Sequence, residues 1–310
     1  MLRDRQMGVR FAILPSLLLA LLTVRVAGQE PAPAANGDVV LASAISALAR
    51  HGTITASLRQ RISLFDQQLF GAGQYIQSGT GLKRRFRMEM TVQGKRQKIA
   101  ITRICDGRML WLLDGAAGEP TLRLVDLRRV EDALTMAGQG GAAVDWRSFD
   151  LGFGGLPRLL VMCDETFQFN AATKSSFDNT PVWLLRGYWQ PERLQRMLSS
   201  QEETKSGKES LPARLPPHLP NEVVLYLRQS DLFPLSVEFR SVTQAAGNQG
   251  MQSQILAAMD FFDVRFDQPV DEKQFTGPAD LPQTDDTEAF LTRLGIARTP
   301  SQLRNESRPR

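Results

Sequence analysis

The residues able to do chemistry are few and isolated from one another. Only two histidines occur in 310 residues. His51 opens a turn-like His-Gly-Thr and His218 sits in Pro-Pro-His-Leu-Pro, so neither has the company of a general base or a metal ligand. Acidic pairs stand at Asp164-Glu165 and Asp285-Asp286. No histidine, nucleophile or metal-ligand spacing accompanies them, and they read as surface acids. Gly152 to Gly155 (Gly-Phe-Gly-Gly) lacks the following lysine and the strand-to-helix setting of a phosphate loop. Cys105 and Cys163 are the only cysteines; without nearby histidines they make a poor zinc site, and they either close a disulfide or remain two buried thiols. The chain therefore reads as non-enzymatic, with no cofactor and no metal.

Function then falls to a surface or a cavity, and one stretch, Leu82 to Asp114, organises the elements that would build it. Phe86, Met88, Met90 and Val92 alternate with Arg85, Arg87, Glu89 and Thr91, the pattern of a strand with one dry and one wet face. Gly94-Lys95 reads as a reversal, Gln97 to Cys105 as a second strand, and Asp106-Gly107 as a tight turn into a third strand, Arg108 to Leu113. Lys83, Arg84, Arg85 and Arg87 form either a solvated sheet face or a surface for a membrane headgroup or a partner.

The N-terminus reads as a targeting segment. Arg3, Arg5 and Arg10 precede the apolar run Phe11 to Thr23, and Val26, Ala27 and Gly28 supply the small residues of a cleavage site. Residues 1–28 are thus expected to be a secretory signal peptide, the alternative being an uncleaved anchor that draws in Val24 to Ala27. Its removal takes four arginines and one aspartate from 37 basic and 33 acidic residues, leaving 33 against 32. A mature net charge near +1 gives no reason to expect a nucleic-acid partner. The location expected is periplasmic or secreted.

The remaining elements follow in order. Residues 29–38 read as a flexible lead-in and Val39 to Arg50 as an amphipathic helix. Strands are expected from Thr53 onward and over Gly73 to Gly79, where Tyr75 and Gln77 share a face, and over Thr121 to Val125. Asp126 caps a helix over Leu127 to Met136. A short helix starts near Pro157, and strands at Thr166 to Ala172 and Pro181 to Tyr188 flank a polar loop, Thr173 to Thr180. A short helix is read at Glu192 to Leu198. Residues 199–220 form a polar, proline-rich insertion. Strands at Asn221 to Arg228, Leu235 to Ser241 and Ser253 to Phe262 follow, and Phe262 to Pro269 ends the sheet. Residues 39–270 thus read as one domain, with 271–310 as a partly disordered extension containing a helix over Thr284 to Leu294. Strands in sequential runs disfavour a parallel βαβ architecture.

Three segments carry a family resemblance: Phe86-Arg87-Met88-Glu89, the run Asp106 to Asp114 (DGRMLWLLD), and Phe262 to Pro269 (FDVRFDQP). Together with Leu225 to Ser241, they make residues 40 to 270 resemble the LolA/LppX-like periplasmic lipoprotein carriers, the outer-membrane lipoprotein-sorting group. The chain departs from that pattern in the insertion after Ser199, in the segment after Pro269 and in Leu113, where an aromatic is commoner. The resemblance implies an α+β fold: a strongly curved antiparallel sheet, an unclosed β-barrel, with helices covering its concave face. It implies a carrier or binding protein for a lipid, a lipoprotein acyl chain or another hydrophobic ligand, with an inner- or outer-membrane protein as a further partner. Phe86, Met88, Met90, Val92, Met109 and Trp111 would line the cavity, unless that stripe is ordinary core. The alternative is an envelope structural or interaction protein that uses the same fold without a ligand.

Overall fold

Alternation of apolar and polar residues builds most of this molecule, and three capping side chains set where its elements begin and turn. A computed structural model describes residues 35–64, 67–93, 98–115, 120–137, 154–195, 215, 219–244, 250–294 and 296. The expected leader, most of the expected lead-in, the expected reversal at Gly94-Lys95, most of the expected insertion at 199–220 with His218 and residues 297–310 lie outside these residues.

The chain runs β1 (Ala35–Asn36), α1 (Gly37–Arg50), β2 (Thr53–Leu64), β3 (Gln67–Ser78), β4 (Arg85–Gln93), β5 (Lys98–Cys105), β6 (Met109–Gly115) and β7 (Thr121–Asp126). It continues through α2 (Leu127–Ala137), α3 (Gly155–Thr166), β8 (Phe167–Phe177), β9 (Thr180–Trp189), β10 (Glu222–Arg228), β11 (Pro234–Gln244) and β12 (Met251–Phe266). It ends in β13 (Gln283–Asp285) and α4 (Thr287–Arg293). Asn36 caps α1 by accepting from Val39 N at 3.1 Å, and Leu41, Ala44 and Leu48 then recur at helical spacing as its buried stripe. Asp106 Oδ1 accepts from Arg108 N and Met109 N at 2.8 and 2.7 Å, fixing the turn into β6. Asp126 Oδ1 accepts from Arg128 N at 2.9 Å at the start of α2.

The stretch Thr173 to Thr180, expected as a polar loop, is mostly strand. β8 continues to Phe177 and turns at Asp178-Asn179, both in the left-handed region at φ 44° and 63°. That is the backbone of a two-residue hairpin turn, for which Asp and Asn are suited. The residues before it carry no apolar alternation because both their faces are exposed.

The strands form one sheet in the order β1-β8-β9-β10-β11-β12-β2-β3-β4-β5-β6-β7-β13. Two meanders, β2 to β7 and β8 to β12, meet where β12 pairs antiparallel with β2. Most of the buried apolar residues lie on one face. Antiparallel partners point the same way, so Ile54, Gln77, Phe86, Cys105, Leu110 and Val125 form one row across it. Helices α1 and α3 pack on each other and on β8, and α3 begins against Tyr75 and Phe86.

The expected sheet, strongly curved, wholly antiparallel and amounting to an unclosed β-barrel, is corrected. This sheet is open and mixed, and it is not strongly curled or closed. Its end strands β1 and β13 do not pair with each other and are two and three residues long, too short to carry a seam. β13 lies parallel to β7, with Gln283 opposite Leu122. The reason is the route of the chain. After Phe266 it crosses the second face of β4, touching down at a 3-10 turn, Glu272–Phe275, and reaches the β7 edge by a crossover. Helices flank this sheet, and α4 packs against α2 and β7.

The crossing segment is tied down along its length. Glu272 pairs with Arg85, Arg87 Nη1 donates to Gln274 O at 3.1 Å, and Phe275 is buried beneath the Arg85 guanidinium. Gly277 lies flat on the Trp111 indole, where a Cβ would stand 2.2 Å from a ring carbon, so this position admits glycine alone.

Candidate functional site

The stripe Phe86, Met88, Met90 and Val92 occupies consecutive outward positions of β4 on the helix-covered face, exposed by 0, 4, 5 and 7 %. Across from it, β3 contributes Gln77, Tyr75, Gly73 and Gly71 in register. The two glycines leave room for Met90 and Val92: a Cβ at Gly71 would stand 2.7 Å from Met90 Sδ and 3.3 Å from a Val92 methyl. The flexible Met90 thioether thus lies over bare backbone, a lining that can change shape cheaply.

Met109 and Trp111 are not part of this group. Trp111 pairs with Ile104 and Leu124, in the row of Arg87, which places it and Met109 on the second face. There the C-terminal crossing segment covers the indole. The sequence spacing was compatible with one shared lining; the register decides otherwise. An open cavity of about 330 Å³ lies elsewhere, between Arg61 to Ser63, Gln68 to Phe70 and Ser253 to Ile255.

Toward β5 to β7 the apolar face turns polar. Arg103 stands in the row of Met88 and Leu112, and Asp114 in the row of Met90 and Ile101. Arg103 Nη1 lies 2.7 Å from Asp114 Oδ1, Arg123 Nη2 lies 2.6 Å from Asp114 Oδ2, and Arg123 continues to Asp286 at 3.1 Å. Burial would push the Asp114 carboxyl up, but Arg103 first and then Arg123 outweigh it and hold the group below the usual carboxylate range. The apolar floor therefore ends at a charged rim.

At the opposite end of the stripe lies a buried polar cluster. The Tyr75 hydroxyl donates to Gln77 Oε1 at 2.8 Å and accepts from Leu156 N at 2.9 Å, so a strand side chain caps the start of α3. Burial pushes the Tyr75 phenol well above its ordinary value. Gly154 and Gly155 take φ of 79° and 68°, and a Cβ on Gly155 would stand 2.5 Å from the Tyr75 oxygen. Gln77 Nε2 and Arg84 Nε are both closed to solvent and have no hydrogen-bond partner among the described residues.

Cys105 and Cys163 are both buried free thiols. Burial pushes the Cys105 thiol up to about 12, and it pushes Cys163 up as well. Among the described residues no group of three or more His, Cys, Asp or Glu side chains could hold a metal ion. His51 stacks on Phe266 at 4.0 Å and pairs with Asp267 at 3.0 Å, joining the end of α1 to the end of β12. Among the described residues no helix is long and apolar enough to cross a membrane.

Sequence reasoning missed Arg103, Asp114 and Arg84 as members of the apolar face. Strand parity carried a signal for Arg103 and Asp114, but the register between strands was needed to place them in the rows of Met88 and Met90, and Arg84 precedes β4 altogether.

No family model and no curated protein matches this sequence. The structure is similar to several solved proteins, described among other things as a LolA superfamily protein and as lipoprotein LppX, all at low identity and with TM-scores below 0.5. LprF from Mycobacterium bovis matches at 9% identity and a TM-score of 0.37, over 78% of this chain and 97% of that one. A DUF1329 family protein from Desulfovibrio piger matches at 11% and 0.34, over 77% and 95%. The MucA/MucB complex of Pseudomonas aeruginosa matches at 12% and 0.37, over 78% of this chain and 61% of the matched chain.

Proposed function

We propose that this is a non-enzymatic carrier or binding protein of the cell envelope, exported to the periplasm or beyond, for a lipid, a lipoprotein acyl chain or another hydrophobic ligand. The observation that carries this reading is the buried four-residue stripe of β4, half of which, Met90 and Val92, faces the glycine backbone of β3. A ligand chain would enter as α1 and α3 part from this face, each buried methylene contributing about 0.8 kcal/mol. The charged rim at Arg103, Asp114 and Arg123 bounds the apolar floor at one end. Release would be to a protein partner in the inner or outer membrane.

Organic extraction of the purified protein followed by lipid mass spectrometry tests the reading directly, together with titration of an apolar fluorescent probe. The expected result is a co-purified lipid or saturable probe binding, abolished in Met90→Lys with only moderate loss of stability. An empty protein that takes up no probe, or a Met90→Lys chain that simply unfolds, would make the stripe ordinary core.

One observation favours a second reading, an envelope interaction protein without a ligand. β8 has eleven residues, yet among the described residues β1 pairs with it on its outer side at Ala171 and Ala172 alone. Among the described residues, 173–177 present an open strand edge on which an extended peptide could add.

A further inference from the structure

The buried cluster at the start of α3 is built almost entirely of donors. Leu156 N is satisfied by Tyr75, and Tyr75 in turn by Gln77 Oε1. Among the described residues this leaves the amide nitrogen of Gln77, a residue with 0% exposure, without an acceptor. The Gln77 amide oxygen lies 3.4 Å from the position a Cβ on Gly155 would take, so the whole amide abuts the first turn of the twelve-residue helix α3. Arg84 adds a charge, near enough to the Tyr75 hydroxyl of this cluster for the two to interact electrostatically. Its backbone is extended, at φ −67° and ψ 130°, so alternation places it on the side of Phe86, apart from Arg85 and Arg87. It is half-buried, its Nε is closed to solvent and unpartnered, and among the described residues no carboxylate pairs with it.

Buried donors without acceptors are costly, and a half-buried guanidinium without a counter-charge is more so. Two idle donors, one positive charge and the positive end of a helix share a single deficit, a planar monoanion with two oxygens. A dianionic phosphate would leave one charge uncompensated in the same place.

We propose that Gln77 Nε2, Arg84 Nε and the N-terminus of α3 form a binding site for one carboxylate, the head group of an amphiphile whose chain lies along the Phe86 to Val92 stripe. The chain half of this inference rests on the carrier reading above; the carboxylate half does not. Both donor atoms are closed to solvent, so the head group enters with a shift of the first turn of α3, at the two left-handed glycines Gly154 and Gly155.

The test uses the delipidated full chain and three probes: palmitate, methyl palmitate and acetate. Nitrogen-15 spectra follow the Arg84 Nε–H and Gln77 side-chain amide signals, and a parallel titration gives affinities. Palmitate is expected to move both signals and to bind on the order of tenfold or more tighter than its ester, the yield of a charge-assisted hydrogen bond. Arg84→Met should erase that preference and leave ester binding and Tm unchanged or raised. Equal binding of acid and ester, or a preference that survives Arg84→Met, overturns the carboxylate site and leaves the carrier reading standing. Acetate moving both signals while neither long-chain probe binds supports the carboxylate site and overturns the chain. Both signals staying put with all three probes overturns the site outright, and the spectra of the unmutated chain decide this even if Arg84→Met fails to fold.

Discussion

Cys105 and Asp114 sit on the same sheet face and respond to burial in opposite directions. For Asp114 the paired arginines prevail, so its folded value lies below the unfolded one near 3.9. Its contribution to stability is present above that pH and is lost as pH falls through the depressed value. For Cys105 nothing offsets burial beyond the Gly107 N–H donating to Sγ at 3.3 Å, and the thiol rises to about 12. Below an unfolded value near 8.5 both states hold the proton; above it only the folded state does, and stability falls as pH climbs toward 12. Denaturant melts across the pH range should show a plateau with two falling limbs. Asp114→Asn should flatten the acid limb. Cys105→Ala should reduce the alkaline limb in part, the remainder belonging to Cys163 and Tyr75, which burial also pushes up.

At the scale of elements, α3 is held at its start by a side chain from β3 instead of by a residue of its own. Tyr75→Phe removes the acceptor for Leu156 N and the donor for Gln77 Oε1 at once, leaving buried groups unmet. The cost should be roughly 1–3 kcal/mol by denaturant melts, with faster amide exchange confined to the first turns of α3. Gly155→Ala should cost at least as much, because its methyl would meet the Tyr75 oxygen at a backbone φ of 68°. Exchange that stays uniform across α3 in both variants would refute the cap. Helices α1 and α2 and the meander β4 to β6 were legible in the sequence, since a cap, a stripe or strict alternation marks each. The far half of β8 was not, because both its faces are wet and pairing alone makes it a strand. The same limit explains Met109 and Trp111. Parity within β6 is local, but which face the β6 row shares with β4 depends on register across β5.

For the whole molecule, the segment from Asp271 to Leu294 completes the sheet and crosses its second face over β4 and Trp111. Ending the chain at Pro269 would strip Gly277 from Trp111, remove Phe275 from beneath Arg85 and leave the β7 edge unpaired. The expected outcome is a red-shifted, more quenchable tryptophan emission, a lower Tm and association through the bare edge, read by fluorescence and light scattering. Emission and oligomeric state equal to those of the full chain would show the segment to be dispensable. The sequence pattern reported neither the parallel strand nor the openness of the sheet, because three exposed residues at an edge carry no periodicity and closure depends on which ends meet.

The junction of β12 with β2 has a consequence in time. From Ala257 opposite Ile62 to Phe266 opposite Ile54, the partners in this pairing lie about 200 residues apart in the chain. The first meander can be made, and can even pair with itself, while β2 still waits with a bare flank for a strand not yet delivered. A polypeptide wired in this way is finished late and all at once. Its most vulnerable period is the interval between the emergence of Thr53 and the arrival of Phe266, when a chaperone or a second emerging copy would find the same unoccupied seam.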